Sequence, residues 1–62
     1  MRWVDQLEHT VSIAKNLSHS DLEDMIDGYE TKFAMYEEEL TWDEAERVDA
    51  MINDLIRERD MR

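Results

Sequence analysis

"EEELTWDEAERV", residues 37–48, decides the fold. Apolar residues at helical spacing lie on both sides of it. If the backbone stays helical through Thr41, the two sides join into one helix of about 38 residues. If it breaks there, they fold into a hairpin. No proline or glycine enforces a turn in this stretch. The signal is subtler. Thr41 is followed three residues on by Glu44, the spacing of a capping box. In such a box the hydroxyl accepts from the backbone N–H of the third helical residue, and the carboxylate reaches back to the N–H of the cap. We read Thr41 as the start of a new helix. An uninterrupted long helix, or a domain-swapped dimer, is the competing arrangement.

On the N-terminal side of the break runs the cleanest apolar stripe in the chain: Leu22, Met25, Ile26, Tyr29, Phe33, Tyr36 and Leu40. It predicts a helix over about 20–40. Its start lies in "LSHSDLEDM", residues 17–25, where either Ser18 or Ser20 can cap. Ser20 has Glu23 three residues on, as in a capping box. With Ser18 as cap, Leu17 and Leu22 can close a hydrophobic staple. Gly28 falls off the stripe, either as a tolerated surface residue or as a point of close approach by another backbone. On the C-terminal side, Ala45, Val48, Ile52, Leu55 and Ile56, with Met51 on the flank, predict a helix over about 42–58. A shorter helix over about 3–17 carries Trp3, Val4, Leu7, Val11, Ala14 and Leu17, with Ile13 well off its stripe. "LSHSDLEDM" and "LTWDEAERV" share a form at an offset of 23 residues, which is recurring capping chemistry and not a repeat protein.

The expected fold is therefore all-α: a small three-helix domain in which a short N-terminal helix packs on an antiparallel helical hairpin, as a monomer or a dimer. Sixty-two residues make one domain. A core this small leaves stability marginal unless disulfides, a metal or a partner contribute. The chain has no Cys, so disulfides and thiolate zinc sites are excluded. No apolar run approaches the roughly 20 residues of a membrane span. The N-terminal "MRWVDQLEHTV" is interrupted by Asp5 and Glu8 and does not read as a signal peptide. A soluble, cytoplasmic protein with no membrane partner is expected.

The net charge is -10, and its placement is uneven. Residues 1–20 and 47–62 each sum to zero. Residues 21–46 hold eleven acids and one lysine, hence all ten net charges. Direct binding of nucleic acid is disfavoured, because phosphates repel such a surface. The natural partner is a larger protein with a basic surface or groove. Ten charges over 26 helical residues come to one per about 3.9 Å. A single nucleic-acid strand carries one per about 3.4 Å and a duplex one per about 1.7 Å. Mimicry of one strand is within reach.

Chemistry is sparse. Ser18, Ser20 and Thr41 are accounted for as caps. Asp5 and His9 are spaced to meet on a helix surface, as a solvated pair. "DLEDMIDGYE", residues 21–30, fails as a calcium loop. With Gly28 as its sixth position, the third is Met25 and the twelfth Ala34, neither a carboxylate. There is no Glu-x-x-His pair for a di-iron bundle and no glycine-rich phosphate loop. Neither enzyme activity nor a cofactor or metal is expected.

"NLSH", residues 16–19, followed by an amphipathic helix, resembles the helix start of the small phycobilisome-degradation adaptors. "LTWDEAERVDAMINDLI", residues 40–56, is similar in pattern to the second helix of the hairpin phosphatases that act on sporulation response regulators. The first family's long second helix is broken here at Thr41. The second family's Ser-Gln-x-x-Asp signature falls on Asp49, Ala50 and Asn53. Neither resemblance implies a function for this chain.

The candidate partner-binding residues are Glu23, Asp24, Asp27, Glu30, Glu37, Glu38, Glu39 and Trp42. All of the acids except Glu39 are expected to project broadly opposite the Leu22–Leu40 stripe. Glu37–Glu39 are expected at the C-terminal end of the middle helix, where the macrodipole disfavours each acid by about 0.3–1 kcal/mol. Trp42 packs over the turn beside Leu40 or anchors a partner, as tryptophan often does at interfaces. The expected function is a non-enzymatic, acidic inhibitor that occludes a basic site, in size and charge similar to phage-encoded anti-CRISPR and anti-restriction proteins. The alternative is a homodimeric or adaptor module that binds through apolar surface around Trp42 and Met35.

Overall fold

The structure is a computed structural model and describes residues 2–61. Among these the chain is all-helical. A 3₁₀ turn at Trp3–Gln6 leads into α1 (Leu7–Ala14). Helix α2 (His19–Tyr36) is followed by a second 3₁₀ turn at Glu37–Glu39, then α3 (Trp42–Asp60). Helices α2 and α3 form the expected hairpin, and α1 packs beside it on α3.

The reversal at Thr41 uses no left-handed residue. The α-helical ladder ends at Tyr36, tightens into the Glu37–Glu39 turn, and closes with the Leu40 N–H donating to the Glu37 carbonyl. Leu40 and Thr41 are both extended, with ψ of 143° and 165°, and these two residues turn the chain. Thr41 then caps α3 in full. Glu44 N–H donates to Thr41 Oγ1 at 3.2 Å, and Thr41 N–H donates to Glu44 Oε1 at 3.0 Å. The capping box stops one helix by starting another, and the long uninterrupted helix does not form.

Helix α2 is capped by Ser18, whose Oγ accepts from the Asp21 N–H at 3.2 Å. Ser20 lies inside the helix, so a Ser20–Glu23 box does not form. This register puts Leu17 and Leu22 at the staple positions; Leu22 is fully buried and Leu17 packs against the same core.

The expected first helix is split. Thr10 Oγ1 donates to the Gln6 carbonyl at 3.1 Å. This side-chain bond to the carbonyl four residues back loosens the ladder where the 3₁₀ turn meets α1. At the other end α3 runs to Asp60, past the expected 58, with Arg57 and Arg59 in its last turn complementing the negative helix end.

With 19 residues α3 is about 28 Å long, close to the 32 Å long axis of the molecule. Both other helices pack on it. It supplies Val48, Met51, Ile52 and Leu55 to a core completed by Val4, Leu7, Ala14, Leu22 and Ile26. Burying each such large side chain stabilises the fold by roughly 1.5–3 kcal/mol. Two residues depart from the expected pattern. Met51, expected on the flank, is buried, because α3 has neighbours on two sides. Tyr36, expected on the stripe, is exposed, because α2 ends there.

Polar and aromatic contacts tie the N-terminal arm down. Thr10 is buried, and its hydroxyl lies 2.9 Å from the Tyr29 hydroxyl. The Trp3 and Tyr29 rings are 6.0 Å apart, and the Lys32 ammonium sits over both, at 5.7 and 5.5 Å. Arg2 grips Glu44 through two guanidinium hydrogen bonds, 2.8 and 3.4 Å long. Gly28 is exposed, and a Cβ there would meet nothing within 4 Å. It is a surface residue and not a point of close backbone approach.

Candidate protein-binding surface

The eight candidate residues are all exposed, but they do not form one patch. Glu23 and Asp24 lie in the first half of α2, and Trp42 lies beyond its far end. Thirteen residues separate Glu23 from Tyr36, about 20 Å along the helix axis. The set divides into an acidic flank on α2 and a hairpin tip.

On the flank, Glu23 is engaged by His19, with Nε2 and Oε1 3.1 Å apart. Asp24 and Asp27 face solvent; near them the Thr31 hydroxyl donates to the Asp27 carbonyl at 2.9 Å. Glu30 and Glu37 are placed differently from expectation. They do not point broadly opposite the apolar stripe. They border a groove between α2 and α3 that is lined also by Phe33, Ala34, Ile52, Ile56, Asp49 and Asn53. The reason is topological: residues 30, 33 and 34 share an edge of α2 that the 3₁₀ turn continues at residue 37, and α1 does not cover that edge. Asp49 joins Glu30 and Glu37 only through tertiary packing, and the stripe of α2 alone gives no hint of it.

At the tip, Glu37–Glu39 form their own 3₁₀ turn and not the last turn of α2. The run therefore lies between the negative end of α2 and the positive start of α3, two residues before the Thr41 cap. The expected dipole penalty is offset by the neighbouring helix start. Trp42 is the first residue of α3 and is 79% exposed; it does not pack beside Leu40. Met35, at 68%, and Tyr36 are also exposed at this end of the hairpin. Three apolar side chains thus flank three carboxylates.

The electrostatics are lopsided. Among the described residues Asp24, Asp27, Glu30, Glu37, Glu38 and Glu39 meet no cation, while Glu44 meets Arg2 and Glu23 lies within hydrogen-bond distance of the His19 ring. Lys32, the single cation of residues 21–46, is held over Trp3 and Tyr29. The Glu44 carboxyl is held below the usual glutamate range, first by the Thr41 backbone N–H and then, against some desolvation, by Arg2. It is a structural group.

A second groove runs along the opposite edge of α3, beside α1. Its floor includes Val4, Leu7, Val11 and Met51, and it is rimmed by Asp5, Glu8, Asp54 and Arg47. Asp5 and His9 are both exposed, and no ion pair joins them. Among the described residues no three His, Asp or Glu side chains gather as a metal-ligand set, and no helix is long and apolar enough to cross a membrane. No protein-family model matches the chain, nor does any curated protein or solved structure.

Proposed function

We propose that the protein is a non-enzymatic binding protein that docks its acidic surface on a basic site of a larger protein and occludes it. The observation that carries this reading is the uncompensated charge. Six of the candidate acids meet no cation among the described residues. The one lysine of that region is drawn to the aromatic pair. Such a surface steers association with a cationic partner and repels nucleic acid. A basic groove that holds a nucleic-acid strand is one target with the required charge.

Affinity capture from cell lysate at low and high salt tests the reading, with wild type beside the E37Q/E38Q/E39Q variant. The partner should be basic, released as salt rises, and poorly retained by the variant at unchanged helical circular dichroism. A complex indifferent to salt and to the three substitutions sinks the reading.

That outcome would favour a second function, an adaptor or homodimer joined through apolar surface. The exposure of Trp42 and Met35 supports it. Sedimentation at two concentrations, with W42A as control, separates a homodimer from an adaptor.

A further inference from the structure

We infer that the groove between α2 and α3 is a docking site for a basic amphipathic helix of the partner. This rests on the reading that the partner is basic, but it is carried by a different observation. The groove joins an apolar floor to an acidic rim. Phe33 and Ile56 are half-buried, pack against the core and line the groove, and Ala34 beside them is exposed. Glu30 borders the floor from α2, Glu37 from the 3₁₀ turn that follows it, and Asp49 from α3. No cation among the described residues reaches this rim: Arg57 is 3.8 Å from Asp54, and Arg59 is 3.4 Å from Asp60.

Those features specify the occupant. It must be apolar on the side that meets Phe33 and Ile56, and cationic at both margins of that side. Glu30 to Glu37 and Asp49 to Ile56 are each eight residues with seven steps between their ends, so the lined length is about 10 Å, or two helical turns. Apolar anchors at i, i+3 or i+4, and i+7 of a helix match it. The trough between two antiparallel helices suits a third helix. A second copy of this chain fits poorly. It carries the same charge of -10 and would bring carboxylates to carboxylates.

The probe is a synthetic peptide of about four helical turns, with leucine along one face and lysine on its margins. Amide NMR shifts of the full chain should move around Ala34, Asn53 and Ile56. A peptide with serine for leucine, and the A34R variant with wild-type circular dichroism, should each bind at least about tenfold more weakly. The inference is overturned if both peptides bind equally and the shifts centre on Glu38, Glu39 and Trp42, away from the groove; the acidic-docking reading then survives alone. If the leucine peptide does not bind at low salt, both fall. If the groove signals move with protein concentration in the absence of peptide, a second copy is the occupant and the inference falls.

Discussion

The two chain reversals are built from the same kind of sequence and end in different chemistry. Each begins with a leucine, a hydroxyl residue in extended conformation, and an acid three residues on: Leu17-Ser18 with Asp21, Leu40-Thr41 with Glu44. At Thr41 the box closes in both directions, and Arg2 clamps the same carboxylate. At Ser18 only one bond forms, from the Asp21 N–H to the serine oxygen. Asp21 is one methylene shorter than the glutamate such a box uses. Glu23 would be long enough for Ser20, but Ser20 does not cap. What fixes the register at Ser18 is apolar: it sets Leu22 across from Leu17 and drives Leu22 into the core. One helix start is held by polar reciprocity, the other by burial.

Four substitutions bear on that contrast, in descending order of effect. Leu22→Ala should destabilise the fold by about 2–5 kcal/mol, through lost burial and the cavity left behind. Urea unfolding measures it; a loss no larger than that of a cap would show that Ser18 holds the register by its hydroxyl. Next, Thr41→Ala should cost about 1–2 kcal/mol and Ser18→Ala about 0.5–1 kcal/mol. In a domain of this size each kcal/mol moves the thermal midpoint by about 4–8 °C. Equal shifts would mean that the reciprocal arm adds nothing. The smallest effect is confined to acid. The Glu44 carboxyl is held below its ordinary range by the fold. Its contribution is therefore complete above the unfolded value and is lost as pH falls through the folded one. Glu44→Gln keeps a reciprocal arm but cannot titrate, so its stability should decline less steeply on the acid side than that of wild type. Parallel pH profiles would show that Glu44 does not couple to folding.

What was legible in the sequence was local. The Thr41 box, the three apolar stripes and the staple at Leu17 and Leu22 involve residues within a turn of one another, where spacing alone dictates geometry. What was not legible depended on who packs beside whom. Met51 is buried because α3 is flanked by both other helices. Thr10 is buried because Tyr29, nineteen residues away, meets its hydroxyl. Glu30 and Glu37 border a groove because α1 covers the other edge of α3, and Asp49 comes to them from a different helix. Of the candidate surface, the exposure of the acids was foreseen; that of Trp42, read as packing beside Leu40 or anchoring a partner, was left open, and the division into a flank, a groove rim and a tip was not foreseen. Trp42, the first residue of α3, lies open at the hairpin tip.

The placement of the two tryptophans gives the molecule a pair of built-in optical reporters. Trp3 is half-buried beside Tyr29 and beneath an ammonium group, whereas Trp42 is 79% exposed at the hairpin tip. Indole emission shifts to the red as water gains access, and a quencher dissolved in water finds the open ring first. Light from the two rings therefore separates by position in the fold. A change in the red, quenchable part reports events at the tip, and a change in the blue, protected part reports release of the N-terminal arm.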